Sequence, residues 1–175
     1  MIKLNLGCGN KLYPIKDNWI NVDIVTPKEL PEGVVFVEAN LLELPFENDH
    51  VDEIHAYHVI EHFYRSDVPA VLAEWFRVLK PGGVVVLEQP DIVKCAANII
   101  HGMTQGDLEE VNRLGILGFF GDGSSDQPYM SHKWGWYPQS LGSVLDSVGF
   151  INIRPQDAQT HMKTLRDFRI IGVKP

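Results

Sequence analysis

A short apolar strand followed at once by a glycine-containing turn limits what this chain can fold into. Ile2, Leu4 and Leu6 alternate with polar residues, which is the period of a β-strand, and Gly7 and Gly9 follow directly. Because glycine has no Cβ, the backbone can bend sharply here and let a ligand approach the main chain. A loop of this kind after the first strand commonly holds nucleotide-type ligands. The G-x-G pattern is weak evidence alone, so its meaning depends on the elements that follow.

Predicted strands and helices alternate along the rest of the chain. An apolar stripe at helical spacing predicts a helix over 67–79, and a second helix is predicted at 138–148. The predicted strands are 20–24, 34–38, 51–57 and 84–87, with an antiparallel closing pair at 150–154 and 168–173. At most one helical turn fits at 11–13, since Pro14 follows. The alternation predicts an α/β fold with a mainly parallel sheet in one domain, 1–175.

Residues 90–137 break this alternation. They contain two weaker helix candidates at 91–102 and 107–118 and a polar loop at 121–127. A polar and aromatic cluster follows: Tyr129, His132, Lys133, Trp134, Trp136 and Tyr137. Because the segment leaves directly after a strand end, where ligands bind in such sheets, we expect it to form the substrate pocket and its lid. The i, i+2 spacing of the two tryptophans predicts that one packs inward and the other lines the pocket.

Composition excludes several classes of partner. The net charge is −8 and no basic run occurs, which argues against a nucleic-acid surface. No stretch of eighteen apolar residues occurs, so the sequence predicts no membrane span. The two cysteines, Cys8 and Cys95, make no disulfide framework. We therefore expect a cytoplasmic protein whose partner is a small molecule.

Polar residues stand at the predicted carboxyl ends of the strands. Asp23 could accept hydrogen bonds from a ribose diol, and Asn40 offers a donor and an acceptor for an adenine edge. Asn5 could support the glycine loop from inside the first strand. Each of these residues alone is as readily explained as a loop or turn residue. Together at one edge of a parallel sheet they favour a nucleoside ligand.

Five stretches of the sequence resemble class I (Rossmann-like) S-adenosylmethionine-dependent methyltransferases of type 11. They read LNLGCGN, NVDI, NLLELPF, DEIHAYHVIEHF and WFRVLKPGGVVVLEQPD. The resemblance is specific over 2–91 and weaker over 132–175. It implies a three-layer, doubly wound, mainly parallel sheet of seven strands with the last strand antiparallel.

The resemblance also implies a cofactor, S-adenosyl-L-methionine, and residues that bind it. Gly7 and Gly9 would border the methionine part, Asp23 the ribose, and Asn40 the adenine. The full set that we expect at the cofactor is Asn5, Gly7, Cys8, Gly9, Asn10, Asp23, Asn40, Leu41, Tyr57 and His58. The last two would also lie beside the sulfonium and the acceptor pocket.

Three features depart from the family pattern. The usual full helix between the first two strands is missing, and Asn40 stands where Asp is common. The sequence as given starts at the first strand, so the N-terminal helices that often roof the cofactor are not seen. Residues 90–137 or a second subunit of a homodimer would then supply the roof, unless it is absent.

The sequence predicts methyl transfer to a small-molecule acceptor, a hydroxyl of a sugar or of another metabolite. A histidine is the usual base for a hydroxyl, and the candidates are His132, His58 and His62. The alternative is a non-catalytic S-adenosylmethionine-binding protein or partner subunit. Available bases favour an enzyme.

Two other motif interpretations compete. A nicotinamide-dependent dehydrogenase needs G-x-G-x-x-G, but Leu12 stands at the third glycine position. His58, Glu61 and His62 match H-x-x-E-H, an inverted zinc-protease pattern. The segment is short and the sequence marks no further ligand, so on the sequence alone we expect no metal, and no stoichiometric zinc, at these histidines.

Overall fold

Seven strands form one sheet in the computed structural model, which describes residues 1–123, 128–161 and 165–175. The strands are β1 Lys3–Leu6, β2 Trp19–Asp23, β3 Phe36–Glu38, β4 Val51–Tyr57, β5 Leu79–Pro90, β6 Ile151–Asp157 and β7 Asp167–Val173. Their order across the sheet is β3-β2-β1-β4-β5-β7-β6. Among the described strands only β7 runs antiparallel to its neighbours. The predicted α/β fold with an antiparallel last strand is confirmed.

One face of the sheet holds the apolar core. Leu4 and Leu6 of β1 lie in register with Ile54 and Ala56 of β4, and all four are buried. The helices are α1 Val68–Val78, α2 Ile92–Gln105, α3 Leu108–Glu110, α4 Leu117–Phe120 and α5 Pro138–Val148. Buried residues of α1 and α5 join this core. No helix among the described residues is long and apolar enough to cross a membrane.

Helix α1 fixes the loop that follows β3. The apolar stripe predicted for this helix is buried, including Val68, Leu72 and Trp75. The indole Nε1 of Trp75 donates a hydrogen bond of 3.0 Å to the carbonyl of Leu41. One buried side chain therefore anchors both the core and the loop at the end of β3.

The connection between β1 and β2 contains no α-helix within the fully described stretch 1–123. Its helical part is a 3-10 turn at Ile15–Asp17, so the turn expected at 11–13 lies later in the chain. Two buried asparagines hold the rest of the connection. Asn21 Oδ1 accepts from Asn5 Nδ2 at 2.9 Å and from Tyr13 N at 2.8 Å. Asn21 Nδ2 donates to Tyr13 O at 2.8 Å, so side-chain amides replace the missing helix in holding this connection.

Residues 92–120 form a helical unit beside the sheet. The helix predicted at 107–118 is interrupted, because a π-helical turn at Val111–Ile116 joins α3 to α4. A Cβ on Gly118 would lie 2.2 Å from Cys95 Sγ, so glycine lets this segment pack closely against α2. The part of the predicted loop at 124–127 lies outside the described residues. The boundary of the lid and the single-domain interpretation stay predictions.

We expect the change Asn21→Ala to lower the free energy of unfolding by about 1–3 kcal/mol, because it leaves buried partners of the 11–13 connection unsatisfied. Asn10→Ala, at an exposed position in the same connection, should change it by less than about 0.5 kcal/mol. Urea unfolding of both variants measures the difference. Equal stabilities would contradict the role given to the asparagine pair.

Candidate active site

The loop after β1 bends at two glycines. Gly7 and Gly9 have φ angles of +61° and +49°, in the left-handed region that favours glycine. The Gly7 N–H donates to Val22 O at 2.8 Å, and the Gly9 N–H donates to Asp23 Oδ2 at 2.8 Å. The end of β2 therefore holds the loop in place.

The two glycines face different surroundings. A Cβ on Gly7 would lie 2.5 Å from Val59 Cγ2, so the loop packs directly on the segment that follows β4. A Cβ on Gly9 would meet nothing within 4 Å. Gly7 thus serves close packing, whereas Gly9 presents bare backbone to open space, where a ligand can reach it.

Asp23 both braces the loop and remains open to a ligand. Its Oδ2 accepts from Gly9, and its Oδ1 accepts from Val25 N at 3.1 Å. A carboxylate has about four lone-pair sites, so two bonds leave capacity for a ribose diol. The position at the end of β2 fits the predicted role.

The structure shows which part of the Asn40 side chain, after β3, is available to an adenine. Asn40 Oδ1 accepts from Leu42 N at 3.0 Å, so the side-chain amide nitrogen is the group left to face a ligand. Leu41 is 8% exposed and belongs to the core, and its contact with the adenine stays a prediction.

Three other predicted cofactor residues are buried or half-buried. The Asn5 side chain bonds to the carbonyl of Lys11, as expected for a residue that supports the loop. The Cys8 thiol is buried, and burial raises its pKa to about 12. The Tyr57 hydroxyl bonds to His55 Nδ1, and burial raises its pKa to about 12. Asn10 is exposed at the end of the loop. Contact of all four with the cofactor stays a prediction.

His58 is held between two carboxylates immediately after β4. Its Nδ1 lies 3.2 Å from Glu61 Oε1 and its Nε2 3.2 Å from Asp167 Oδ2. Burial alone would lower the pKa of this imidazole, but the bonds to Asp167 and Glu61 outweigh burial and raise the pKa to about 9. The residue has φ of +56°, an unusual conformation for a non-glycine residue. A histidine that is protonated at neutral pH is a poor base, which disfavours His58 in that role.

The other two candidate histidines surround Glu61. The His62 and His132 rings lie 5.0 Å apart, and His132 Nε2 lies 4.0 Å from Glu61 Oε1. Glu61 is 2% exposed. Burial would raise the pKa of its carboxyl, yet the bond to His58 and the nearby histidines lower it. Burial lowers the pKa of His132, which favours its neutral form. We call Glu61, His62 and His132, with His58, the histidine cluster.

Backbone hydrogen bonds bring His132 to Glu61 across a long stretch of chain. The carbonyl of Glu61 accepts from Lys133 N at 2.7 Å and from Trp134 N at 3.3 Å. The His132 N–H donates to Phe120 O at 3.1 Å. All three histidines predicted as candidate bases therefore lie around the carboxylate of Glu61. The sequence analysis noted Glu61 only as part of the H-x-x-E-H pattern.

The loop between β6 and β7 adds residues that sequence reasoning missed. Glu88 of β5 is fully buried and accepts from Gln159 N at 3.0 Å, Thr160 N at 2.6 Å and Arg169 Nε at 2.9 Å. It thereby holds this loop at the same edge of the sheet, where Asp167 meets His58. The signal was present, since a charged residue inside an apolar strand requires buried partners.

Comparisons with known proteins agree with this geometry. Residues 4–87 match the family described as a methyltransferase domain. These residues, 84 of the 175 in the chain, therefore resemble the methyltransferase domain of that family. No curated protein sequence matches the chain.

Solved structures of methyltransferases share the fold of this chain. One is a methyltransferase from Archaeoglobus fulgidus, at 17% identity and TM-score 0.64, with 98% of this chain and 85% of that chain covered. Another is the 1,6-didemethyltoxoflavin N1-methyltransferase of Burkholderia thailandensis, at 16% identity and TM-score 0.66. The match covers 99% of this chain and 70% of that chain. A third is phosphoethanolamine N-methyltransferase 2 of Haemonchus contortus, at 13% identity and TM-score 0.62. The match covers 100% of this chain and 49% of that chain.

S-adenosylmethionine is the cofactor that this resemblance implies, and the residues at the sheet edge fit it. Asp23 presents a carboxylate for the ribose, and the backbone at Gly9 is open for close approach. When bound, the cofactor supplies the methyl group from its sulfonium. The protein's part is to orient the donor, exclude water and prepare the acceptor.

The change Asp23→Ala should weaken S-adenosylmethionine binding by about 1.5–3 kcal/mol, roughly 10- to 150-fold in Kd, because a charge-assisted hydrogen bond to the ribose is lost. Calorimetric titration measures the effect. Asp17→Ala removes the same charge from an exposed position in the 3-10 turn and should leave the affinity unchanged. Equal affinity of both variants would refute the ribose assignment.

The change Gly9→Val should abolish cofactor binding while the protein remains folded, because the side chain would occupy the open space beside the loop. Gly33→Val is a matched control, since Gly33 also has positive φ and nothing within 4 Å of a Cβ. Both variants carry similar backbone strain, so similar losses of stability are expected. Tight binding of S-adenosylmethionine by folded Gly9→Val protein would show that the cofactor does not approach Gly9.

Proposed function

We propose that this methyltransferase methylates a hydroxyl of a small molecule, a sugar or another metabolite, and that the histidine cluster activates this hydroxyl. The observation that carries the proposal is the contact between Gly7 and Val59, where a Cβ would come within 2.5 Å of the valine. Val59 lies between His58 and the rest of the cluster in sequence. The contact therefore sets the cofactor loop beside the cluster.

The chemistry of the cluster supports a hydroxyl acceptor. Methyl transfer is an in-line displacement, and a hydroxyl becomes a better nucleophile when a neighbouring base takes its proton. His132 Nδ1 is engaged with Gly118 O at 2.9 Å, so Nε2 is the nitrogen left to accept a proton. Its side chain is 9% exposed, which shields the site from bulk water.

The class of acceptor follows from charge and from the neighbours in fold. The net charge of −8 disfavours a nucleic acid. Two of the solved structures described above are methyltransferases whose names specify a small molecule, a toxoflavin precursor and phosphoethanolamine. Both names concern transfer to nitrogen, so they support a small-molecule acceptor and carry no argument for a hydroxyl.

Residues 90–137 supply the acceptor side of the proposed site. Trp136 is 1% exposed and packs in the core, whereas Trp134 is 41% exposed and lies under the guanidinium of Arg65, 5.3 Å from its ring centre. This division agrees with the opposite directions predicted from their spacing. We assign Trp134 to the pocket wall and Trp136 to the structural support of α5.

The change His132→Ala should reduce turnover by about 10²–10⁴-fold, the range for loss of a group that removes the acceptor proton. Cofactor affinity should stay nearly constant, because the histidine lies on the acceptor side. Transfer of labelled methyl from S-adenosylmethionine to pooled sugar and metabolite hydroxyls measures turnover, and calorimetry measures affinity.

His101→Ala is the control for this experiment, since His101 is an exposed histidine on α2. Full turnover by a folded His132→Ala protein would remove the cluster from the proposed chemistry. If the wild-type protein binds the cofactor but transfers no methyl group to any pooled sugar or metabolite, that result would instead favour a non-catalytic binding subunit.

A further inference from the structure

Three side chains of the histidine cluster come close together. Glu61, His62 and His132 each offer a ligand atom, and these atoms all lie within 4.8 Å of one another. We propose that they bind a divalent transition-metal ion, and that zinc is the ion that this donor set fits. Two histidines and one glutamate form a known catalytic zinc set, which leaves a coordination position open.

The carboxylate of Glu61 provides the first independent observation. The residue is 2% exposed, and neither carboxylate oxygen has a hydrogen bond among the described residues. Oε1 faces His58 Nδ1 at 3.2 Å and His132 Nε2 at 4.0 Å. A buried carboxylate oxygen without a hydrogen bond leaves part of the desolvation cost unrepaid. A metal ion coordinated by Oε2 would satisfy it.

The orientation of the histidines provides the second observation. His62 Nδ1 lies 3.3 Å from the carbonyl of Ser131, and His132 Nδ1 lies 2.9 Å from the carbonyl of Gly118. When Nδ1 donates to these carbonyls, the proton is fixed there and Nε2 keeps its lone pair. Metal-binding histidines in proteins are typically oriented by a backbone carbonyl or a carboxylate in this way.

His132 is the ligand that the sequence did not mark. The expectation of no zinc rested on H-x-x-E-H having no further ligand in a short segment. The structure brings His132 to the motif through the hydrogen bond from Lys133 N to the Glu61 carbonyl at 2.7 Å. The donor set is therefore assembled by the tertiary fold rather than by helical spacing.

A second group of potential ligands nearby serves as an internal comparison. His58, His161 and Asp167 also lie close together. An arginine occupies that group, because Arg166 Nε lies 2.7 Å from Asp167 Oδ1 and its Nη2 lies 3.1 Å from His161 Nδ1. The guanidinium contacts two of these three residues, whereas the His58 imidazolium faces only Oε1 of Glu61 and Oε2 has no hydrogen bond, so we assign the ion to the set around Glu61.

The test is metal content of protein purified without a histidine tag, stripped with a chelator and dialysed against zinc. We expect roughly one zinc per chain in the wild type and in His161→Ala, and none in Glu61→Gln, His62→Ala or His132→Ala. Circular dichroism checks that each variant is folded. Cobalt substitution gives a second measurement, since ligand-field absorption should appear in the wild type and be lost in Glu61→Gln.

Absence of zinc and cobalt binding in folded wild-type protein would overturn the proposal. So would zinc that persists in folded Glu61→Gln and His132→Ala but is lost in His161→Ala. If the alanine variants do not fold, a zinc-dependent rise in the thermal midpoint of the wild type, abolished in the near-isosteric Glu61→Gln, still decides the question. These measurements need neither cofactor nor acceptor, so their failure is distinguishable from failure of the proposed function, on which this inference rests only for the site's use. In the zinc-loaded protein the metal would hold the Nε2 lone pair of His132, and it would lower the pKa of a bound acceptor hydroxyl in place of His132 acting as the base.

Discussion

The hydrogen bond between the Glu61 carbonyl and the Lys133 amide, at 2.7 Å, is the interaction on which the site depends. It joins the segment after β4 to the segment before α5. Together with the bonds from Trp134 N to Glu61 O and from His132 N to Phe120 O, it holds His132 near Glu61 at the sheet edge. Main-chain bonds make this junction independent of side-chain rotamers, so the fold itself positions the cluster.

The junction allows charge to be concentrated away from water. Glu61 and Asp167 are both buried, and His58 lies 3.2 Å from each. Removing one partner from such a set is costly because it leaves an uncompensated charge in a medium of low dielectric. Groups held in this manner have little freedom to reorganise, which suits a site that must meet a developing charge in a fixed geometry.

The sequence predicted those parts of the fold that local periodicity determines. The bounds predicted for β4 and α5 agree with the structure, and the seven-stranded sheet with its antiparallel last strand follows from alternation together with the family resemblance. The sequence also placed Gly9, Asp23 and His58 at strand ends. Their types and positions were readable because parallel strands bring their carboxyl ends to one edge.

The remaining features depend on side-chain direction and on pairing between distant segments. Nothing local distinguishes Leu41, whose side chain joins the core, from its exposed neighbour Leu42. The sequence indicated that the usual helix between the first two strands is missing, but not that the Asn5–Asn21 hydrogen bond holds the connection in its place. The meeting of His132 with Glu61 follows from tertiary hydrogen bonds that no periodicity reports. Sequence therefore identifies the site's edge, and structure identifies which side chains share it.

A crystal structure with bound S-adenosylhomocysteine would test the central claim, that the cofactor loop and the histidine cluster serve one reaction. The account predicts the cofactor sulfur on the Val59 side of the loop, with room for an acceptor oxygen between it and the cluster. That oxygen must lie about 3–3.5 Å from the transferred carbon and about 2.6–3.2 Å from its activating group. A sulfur directed away from His62 and His132, with no acceptor-sized space between them, would contradict the account.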